Sequence, residues 1–288
     1  MNYQRFCKIL NKHIFEGEKK ELLRRIADRP ERFIGLFRPT KPSAKVLQYL
    51  LQSHEIRFGD AVEELVEEIL KDIGYKTLLK SIVNERGETL SLDQYFTDGK
   101  ECYFIEQKVR DDHDSTKKRG QMSNFEAKLE VLYKKHGSQL VGVMYFIDPD
   151  LSKNKNYYLQ ELKRLKEFYG VDLYLFYGKE LFSYLKHPEI WDNIILWLGQ
   201  WKNSLPELPE INFDNVPQKS FKEIKDLELR YWRKILENEK LWKQSIIKVI
   251  FRKGDTLRLA LKLFDTQYDT PYRKLANLLN QRLREYFE

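Results

Sequence analysis

The sequence has only two cysteines, Cys7 and Cys102, among its 288 residues. Their wide separation argues against a disulfide framework or a cysteine-based zinc site, and it favours a reducing compartment such as the cytoplasm. Apolar runs are short, as in residues 140–147, and none approaches the roughly 20 residues that a membrane span needs. The N-terminal segment carries charges and no long apolar stretch, unlike a secretory signal. We therefore expect a cytoplasmic protein without a membrane partner.

Charge is abundant and unevenly distributed along the chain. Of the net charge of +7, residues 1–50 contribute +7, residues 213–288 contribute +6, and the middle carries about −6. The basic ends suit a polyanionic partner such as a phosphate backbone, and the acidic middle region can bring several carboxylates together in one site. Ordinary solubility charge is the alternative interpretation.

Hydrophobic periodicity predicts an α/β core. Apolar residues recur at helical spacing between Val62 and Ile73, which predicts a helix ending at Gly74. Two strand-like runs follow at 90–96 and 101–108, and the turn residues Asp98-Gly99 between them predict a hairpin. Strands then alternate with helices, which is typical of an α/β protein with parallel crossovers.

The chain divides by pattern into three consecutive regions. Residues 1–50 are predicted to form a basic helical region, residues 51–200 the α/β core and residues 201–288 a second helical region. Within the core, a charged loop after residue 108 is expected to lead into a helix with Ser123 as its N-cap.

The second hairpin strand ends in charged residues where a core strand should stay apolar. Side chains alternate along a strand, so Glu106 and Lys108 share a face, and we expect both to emerge where the sheet meets solvent. Asp93 lies across the hairpin near the level of Glu106. Two close carboxylates suit Mg²⁺, and Lys108 can stabilise charge on a phosphate. A simple surface ion pair is the alternative.

This arrangement resembles the motif of the PD-(D/E)XK nuclease superfamily. Asp93, a spacer of 12 residues and Glu106-Gln107-Lys108 are similar to its Asp…(Asp/Glu)-X-Lys pattern. The run EQKVRDDHDSTKKRGQ resembles type II restriction endonucleases in particular, and the order of elements over residues 55–187 is similar to that family's core. Leu92 departs from the pattern, which has proline there. The resemblance implies a restriction-endonuclease-like fold, with a mixed sheet flanked by helices and helical additions at both ends.

The resemblance also implies a function. It predicts Mg²⁺-dependent hydrolysis of double-stranded DNA at a specific short sequence, leaving 5′-phosphate and 3′-hydroxyl ends, within a restriction-modification system. Two alternatives stay open: a structure-specific repair nuclease or resolvase with the same core, and an inactive DNA-binding protein on that scaffold. No Gly-x-x-x-x-Gly-Lys loop occurs, so we expect no nucleotide cofactor. A duplex has two strands to cut, which favours a homodimer.

Further residues join the predicted site. Related nucleases often draw a glutamate from the preceding helix; Glu63, at the border of the apolar face, is the first candidate, and Glu64 stays open. A cluster of polar residues after the hairpin is expected to contact DNA; the alternative is that these residues are only a solvent-exposed charged run. Gln121 is expected either to contact an adenine base or to orient the loop. The cluster consists of Arg110, Lys117, Lys118, Arg119 and Gln121.

Both ends of the chain offer further DNA contacts. The helix at residues 272–287 is predicted to serve in DNA recognition or in dimerisation, and its apolar face, with Leu275, Leu279 and Leu283, forms either core or a dimer interface. Arginines near the N-terminus are expected to hold DNA, namely Arg24, Arg25, Arg29, Arg32 and Arg38.

Overall fold

A computed structural model of the chain describes residues 1–35, 37 and 39–288. Arg38 therefore lies outside the described residues. The chain forms two compact units: a sheet unit of Met1–Leu10 and Phe58–Leu205, and a helical unit of Asn11–Arg57 and Pro206–Glu288. The N-terminal and C-terminal regions predicted from the sequence thus supply most of the helical unit together, although they are far apart in the chain.

The helices and strands are numbered in chain order. The helices are α1 (Tyr3–Phe15), α2 (Glu18–Asp28), α3 (Pro42–Asp72), α4 (Ser115–His136), α5 (Lys155–Tyr169), α6 (Lys179–Tyr184), α7 (Glu189–Asn203), α8 (Pro217–Ile224), α9 (Leu229–Glu237), α10 (Glu239–Lys243), α11 (Ile246–Ile250), α12 (Asp255–Asp265) and α13 (Thr270–Phe287). The strands are β1 (Lys76–Thr77), β2 (Ser81–Val83), β3 (Thr89–Ser91), β4 (Gln94–Thr97), β5 (Cys102–Lys108), β6 (Leu140–Phe146) and β7 (Asp172–Tyr177). No helix among the described residues has the length and apolar character that crossing a membrane requires.

The main sheet of the sheet unit is mixed, with the strand order β1-β4-β5-β6-β7. The pairs from β1 to β5 are antiparallel, and those from β5 to β7 are parallel. Parallel neighbours need long crossovers, which α4 and α5 supply. Strand β6 is buried throughout, as expected for a parallel strand covered on both faces. The predicted fold class, a mixed sheet flanked by helices with helical additions, is confirmed.

The hairpin of β4 and β5 determines the level of the charged residues. Gln94 pairs with Ile105 in the antiparallel register. Extending that register by one residue brings Asp93 opposite Glu106, as the sequence predicts. The predicted turn is also present, because Gly99 has a φ of 94°, a left-handed conformation that glycine adopts most easily.

The prediction of one continuous strand over residues 90–96 is wrong. β3 pairs with β2 in a separate two-stranded sheet, and β4 begins only at Gln94. The backbone N–H of Leu92 donates to the carbonyl oxygen of Lys80 at 2.8 Å, and the Leu92 side chain is buried. The chain therefore leaves one sheet and enters the other at Leu92 and Asp93, so Asp93 stands in the link between two hairpins.

Helix α4 begins earlier than the sequence pattern predicts. Its N-cap is Asp114 and not Ser123, because the Asp114 side chain accepts from the backbone N–H groups of Thr116 at 3.0 Å and Lys117 at 2.9 Å. Lysine, arginine and glutamine are good helix formers, so a charged run with such a cap continues as helix. Most of the predicted charged loop is thus the first turns of α4.

Helix α13 packs its apolar face inside the helical unit. Leu275, Leu279 and Leu283 are 4%, 0% and 3% exposed and lie in the core cluster that also contains Trp232 and Trp242. The hypothesis that these leucines form a dimer interface is therefore wrong, since burial within one chain leaves no apolar surface for a partner. The alternative interpretation of this face as core is correct.

Candidate active site

Three charged side chains predicted to act together are in direct contact. Lys108 Nζ lies 2.9 Å from Asp93 Oδ2 and 2.8 Å from Glu106 Oε1. The backbone N–H of Gln107 donates to the same Asp93 oxygen at 2.8 Å, which fixes the carboxylate against the end of β5. One ammonium thus bridges two carboxylates, one from β5 and one from the link that leads into β4.

The three side chains differ in their exposure to solvent. Lys108 and Asp93 keep 29% and 18% of their side-chain surface exposed, whereas Glu106 keeps only 3%. The expectation that Glu106 emerges into solvent is wrong, because α4 covers it. A buried carboxylate needs compensating partners, since burial of an unpaired charge costs several kcal/mol.

Two residues of α4 supply those partners, and the sequence interpretation missed both. Lys128 Nζ lies 2.5 Å from Glu106 Oε2, and Asn124 Nδ2 donates to Glu106 Oε1 at 3.4 Å. The Lys128 side chain is only 5% exposed. Its position offered a signal: Lys128 falls on the helix face of Phe125 and Leu132, where the amphipathic pattern calls for an apolar residue.

The charge state of Lys108 follows from its surroundings. Burial alone would lower the pKa of its ammonium, but the carboxylates of Glu106 and Asp93 outweigh this effect and raise the pKa above the ordinary lysine value. Lys108 is therefore a permanent cation at neutral pH. It can stabilise negative charge, and it cannot take up a proton from water.

Glu63 of α3 lies at the edge of this group, together with a lysine that the sequence interpretation missed. Lys80 Nζ lies 2.8 Å from Glu63 Oε1 and 2.9 Å from Glu67 Oε2. Burial raises the pKa of Glu63 above its usual value, although Lys80 lowers it, and the negative charge of Asp93 adds to the increase. Gln94, the residue after Asp93, donates from its side-chain amide to the backbone carbonyl oxygen of Glu63 at 2.8 Å, which holds this part of α3 beside the start of β4.

The predicted DNA-binding cluster is spread around the start of α4. Arg110 lies before the helix and is exposed, as are Lys117 and Arg119. Lys117 and Gln121 recur at helical spacing with Asn124 and Lys128, so they share the face that touches Glu106, whereas Arg119 lies about half a turn away.

Gln121 and Lys118 of that cluster contact α5. Gln121 Oε1 accepts a hydrogen bond from the Tyr158 hydroxyl at 2.5 Å. Lys118 Nζ lies 4.6 Å from the centroid of the Tyr157 ring. These contacts with α5 hold the N-terminal turns of α4 in place beside the charged group.

Comparison with protein families matches residues 2–86 and 72–202 to the family described as type II restriction endonuclease, HinfI. The match covers most of the chain and includes every residue of the site. The chain belongs to this HinfI family of type II restriction endonucleases. Membership confirms the resemblance to restriction endonucleases, and it makes the protein a nuclease with DNA as its substrate. A search of curated proteins found no match.

The charged residues of this HinfI family member are chemically suited to Mg²⁺. Asp93 and Glu106 offer hard carboxylate oxygens, and both contact the same ammonium, so they face one cationic position. Among the described residues, no group of three or more histidine, cysteine, aspartate or glutamate side chains is arranged to hold a metal. Mg²⁺ needs only one or two protein carboxylates when water and substrate phosphates complete its shell. The pair therefore fits this ion.

Proposed function

We propose that the chain is a cytoplasmic, Mg²⁺-dependent type II restriction endonuclease. It hydrolyses double-stranded DNA at a specific short sequence and leaves 5′-phosphate and 3′-hydroxyl ends. The contact of Lys108 with both Asp93 and Glu106, in a member of a restriction endonuclease family, carries this proposal. Carboxylates beside a cation are the groups that phosphodiester hydrolysis requires.

Each residue of the site has a distinct proposed role. Asp93 and Glu106 would hold Mg²⁺, which supplies a Lewis acid for the phosphoryl oxygen and lowers the pKa of a bound water. Lys108 stabilises the negative charge that develops on the phosphate, because it stays protonated at neutral pH. Glu63 has a raised pKa and is the candidate to accept a proton during the attack of water.

Lys128 and Asn124 are proposed as positioning residues. Their contacts hold both oxygens of the buried Glu106 carboxylate, one from each side chain. A ligand with a fixed orientation loses less conformational freedom when it binds a cation, and the Lys128 ammonium supplies a counter-charge to the buried carboxylate.

The basic residues around the start of α4 are proposed to contact DNA. Arg110, Lys117 and Arg119 are exposed, and a phosphate backbone can reach their charges. Lys118 and Gln121 contact α5, so we propose that they support this surface in addition to touching the duplex.

We predict that the enzyme acts as a homodimer on DNA. One site cuts one strand, and a two-fold dimer places two sites on the two strands of a palindrome. Light scattering with and without a duplex that carries the cleavage site measures the assembly. We expect two chains per duplex; a mass of one chain per duplex, with cleavage linear in enzyme concentration, would contradict the dimer.

Digestion of a plasmid of known sequence in Mg²⁺ tests the proposed function. We expect discrete fragments whose mapped ends share one short sequence and carry 5′-phosphates. Random fragmentation would contradict sequence specificity, and cutting confined to branched junctions would indicate a resolvase. Binding without cutting would indicate an inactive DNA-binding protein.

A further inference from the structure

The positive charge of the chain belongs to the helical unit. This unit contains 28 lysines and arginines and 19 aspartates and glutamates, for a net charge of +9, whereas the sheet unit has 23 and 25, for a net charge of −2. The match to the restriction endonuclease family ends at residue 202, before α8 to α13 begin. A polyanionic duplex is therefore attracted to the helical unit, through helices that the family match does not include.

One helix of this unit presents a continuous polar face. Along α13, four exposed residues, Arg273, Asn277, Gln281 and Arg284, follow one another at spacings of four, four and three. At 3.6 residues per turn they lie in one row, opposite the buried leucines, and Lys274 and Asn280 border it. The row thus combines cations with side-chain amides.

The cations of this row form no ion pair with the part of the chain that the structure describes. Among the described residues, Arg273, Lys274 and Arg284 have no ion-pair partner, whereas some other cations of the helical unit are paired, as Arg24 is with Glu228 at 2.6 Å. Glu285 is the only acidic residue in the sequence of α13, and its carboxylate accepts from Gln281 of the row at 2.7 Å and from Arg282 at 3.1 Å. The row therefore has positive charge available for an external anion.

The residue types indicate which anion fits. Arginine pairs bidentately with guanine, and asparagine and glutamine pair with adenine, at base edges in the major groove. If the partner were an acidic protein, its carboxylates would pair with the cations of the row, and the side-chain amides would not be required. The groove is about 12 Å wide and admits a helix, and α13, with 18 residues, is about 27 Å long.

We propose that this row of α13, together with Lys274, is a DNA-reading face that contacts base edges and phosphates in the major groove of the duplex. The proposal rests on double-stranded DNA as the substrate in the proposed function. It assigns sequence recognition, at least in part, to a helix in the chain segment beyond the family match.

The first test removes the two arginines of the row. In the whole 288-residue chain, the double variant Arg273→Ala/Arg284→Ala is compared with Arg233→Ala/Lys248→Ala. Arg233 and Lys248 are a matched pair of exposed cations elsewhere in the helical unit, and neither has an ion-pair partner among the described residues. Fluorescence anisotropy on a labelled 30-base-pair duplex carrying the cleavage site is measured across salt concentrations. We expect at least tenfold weaker binding for the α13 pair, and less than twofold change for the control pair. Equal thermal unfolding of all variants checks the fold.

The second test removes the amides. Asn277→Ala with Gln281→Ala should leave the salt dependence of binding unchanged, because amides do not neutralise phosphates. Cleavage of a library of randomised duplexes, followed by sequencing of the ends, should show about tenfold weaker discrimination at one or more base pairs, since each bidentate contact is worth about that factor.

The outcomes separate this inference from the proposed function. If the wild type cuts plasmid into discrete fragments and the α13 variants bind and discriminate like the control pair, the inference is wrong and the proposed function stands. If the arginine variant instead changes the mass of the DNA-free protein in light scattering, the row is a protein interface and the inference is wrong. If the wild type neither binds nor cuts duplex DNA, both fail.

Discussion

Asp93→Asn, Glu106→Gln and Lys108→Met are each expected to reduce DNA cleavage by at least about a thousandfold. Each substitution keeps the size of the side chain and removes one charge from the group in which Lys108 contacts both carboxylates at 2.8–2.9 Å. Single-turnover cleavage of a labelled duplex that carries the mapped site measures the effect. Cutting within tenfold of the wild-type rate would remove that residue from the proposed site.

The matched controls are carboxylates close in sequence but outside the group. Asp112→Asn changes an exposed residue of the segment after β5, and Glu130→Gln changes a residue on the exposed face of α4, where Glu130 pairs with Lys134. Surface ion pairs contribute at most about 1 kcal/mol, so both variants should fold and cut like the wild type. A similar loss of cleavage in these controls would mean that the three site variants act through a change in the overall charge of the protein and not through the site.

Glu106→Ala is a poorer probe than Glu106→Gln. Alanine leaves the ammonium of Lys128 buried with neither a counter-charge nor a hydrogen-bond acceptor, and breaking a buried pair by removing one partner costs about 3–5 kcal/mol of folding free energy. Glutamine keeps an oxygen that can accept from Lys128. The loss of activity in Glu106→Gln can therefore be attributed to the missing carboxylate, provided that urea unfolding shows near-wild-type stability.

The contact of Lys108 with Asp93 and Glu106 could be predicted from the sequence because its geometry is local. Alternation along β5 puts Glu106 and Lys108 on one face, and a tight turn at Gly99 fixes the hairpin register that brings Asp93 level with Glu106. Both constraints act over fewer than about 20 residues, so residue types and their spacing are sufficient to predict which side chains meet.

What the sequence does not predict depends on contacts between distant segments. Lys128 becomes a partner of Glu106 only when α4 packs on the sheet, and Lys80 becomes a partner of Glu63 only when the link before β2 meets α3. The three-region interpretation also could not anticipate that chain ends separated by the sheet unit share one hydrophobic core, since tertiary contacts decide that grouping.

Removing divalent cations with a chelator is expected to stop DNA cleavage completely. The protonated Lys108 cannot accept a proton from water, and Asp93 and Glu106 act in the proposal as ligands of a metal that lowers the pKa of the attacking water. Plasmid digestion in excess EDTA, followed by addition of Mg²⁺ beyond the chelator, measures this dependence. Sustained cutting in excess EDTA would contradict the proposed cofactor.

Metal binding without DNA separates the roles of the three residues. Mn²⁺ can replace Mg²⁺ on oxygen ligands and is followed directly by electron paramagnetic resonance of the free ion. Asp93→Asn and Glu106→Gln should weaken Mn²⁺ binding at least about tenfold, because each removes a charged ligand. Lys108→Met removes a positive charge beside both carboxylates, so Mn²⁺ should bind as well as or better than in the wild type, even though cleavage is lost. Asp112→Asn serves as the control, and equal loss of Mn²⁺ binding in all three variants would contradict the division into two metal ligands and one charge-stabilising lysine.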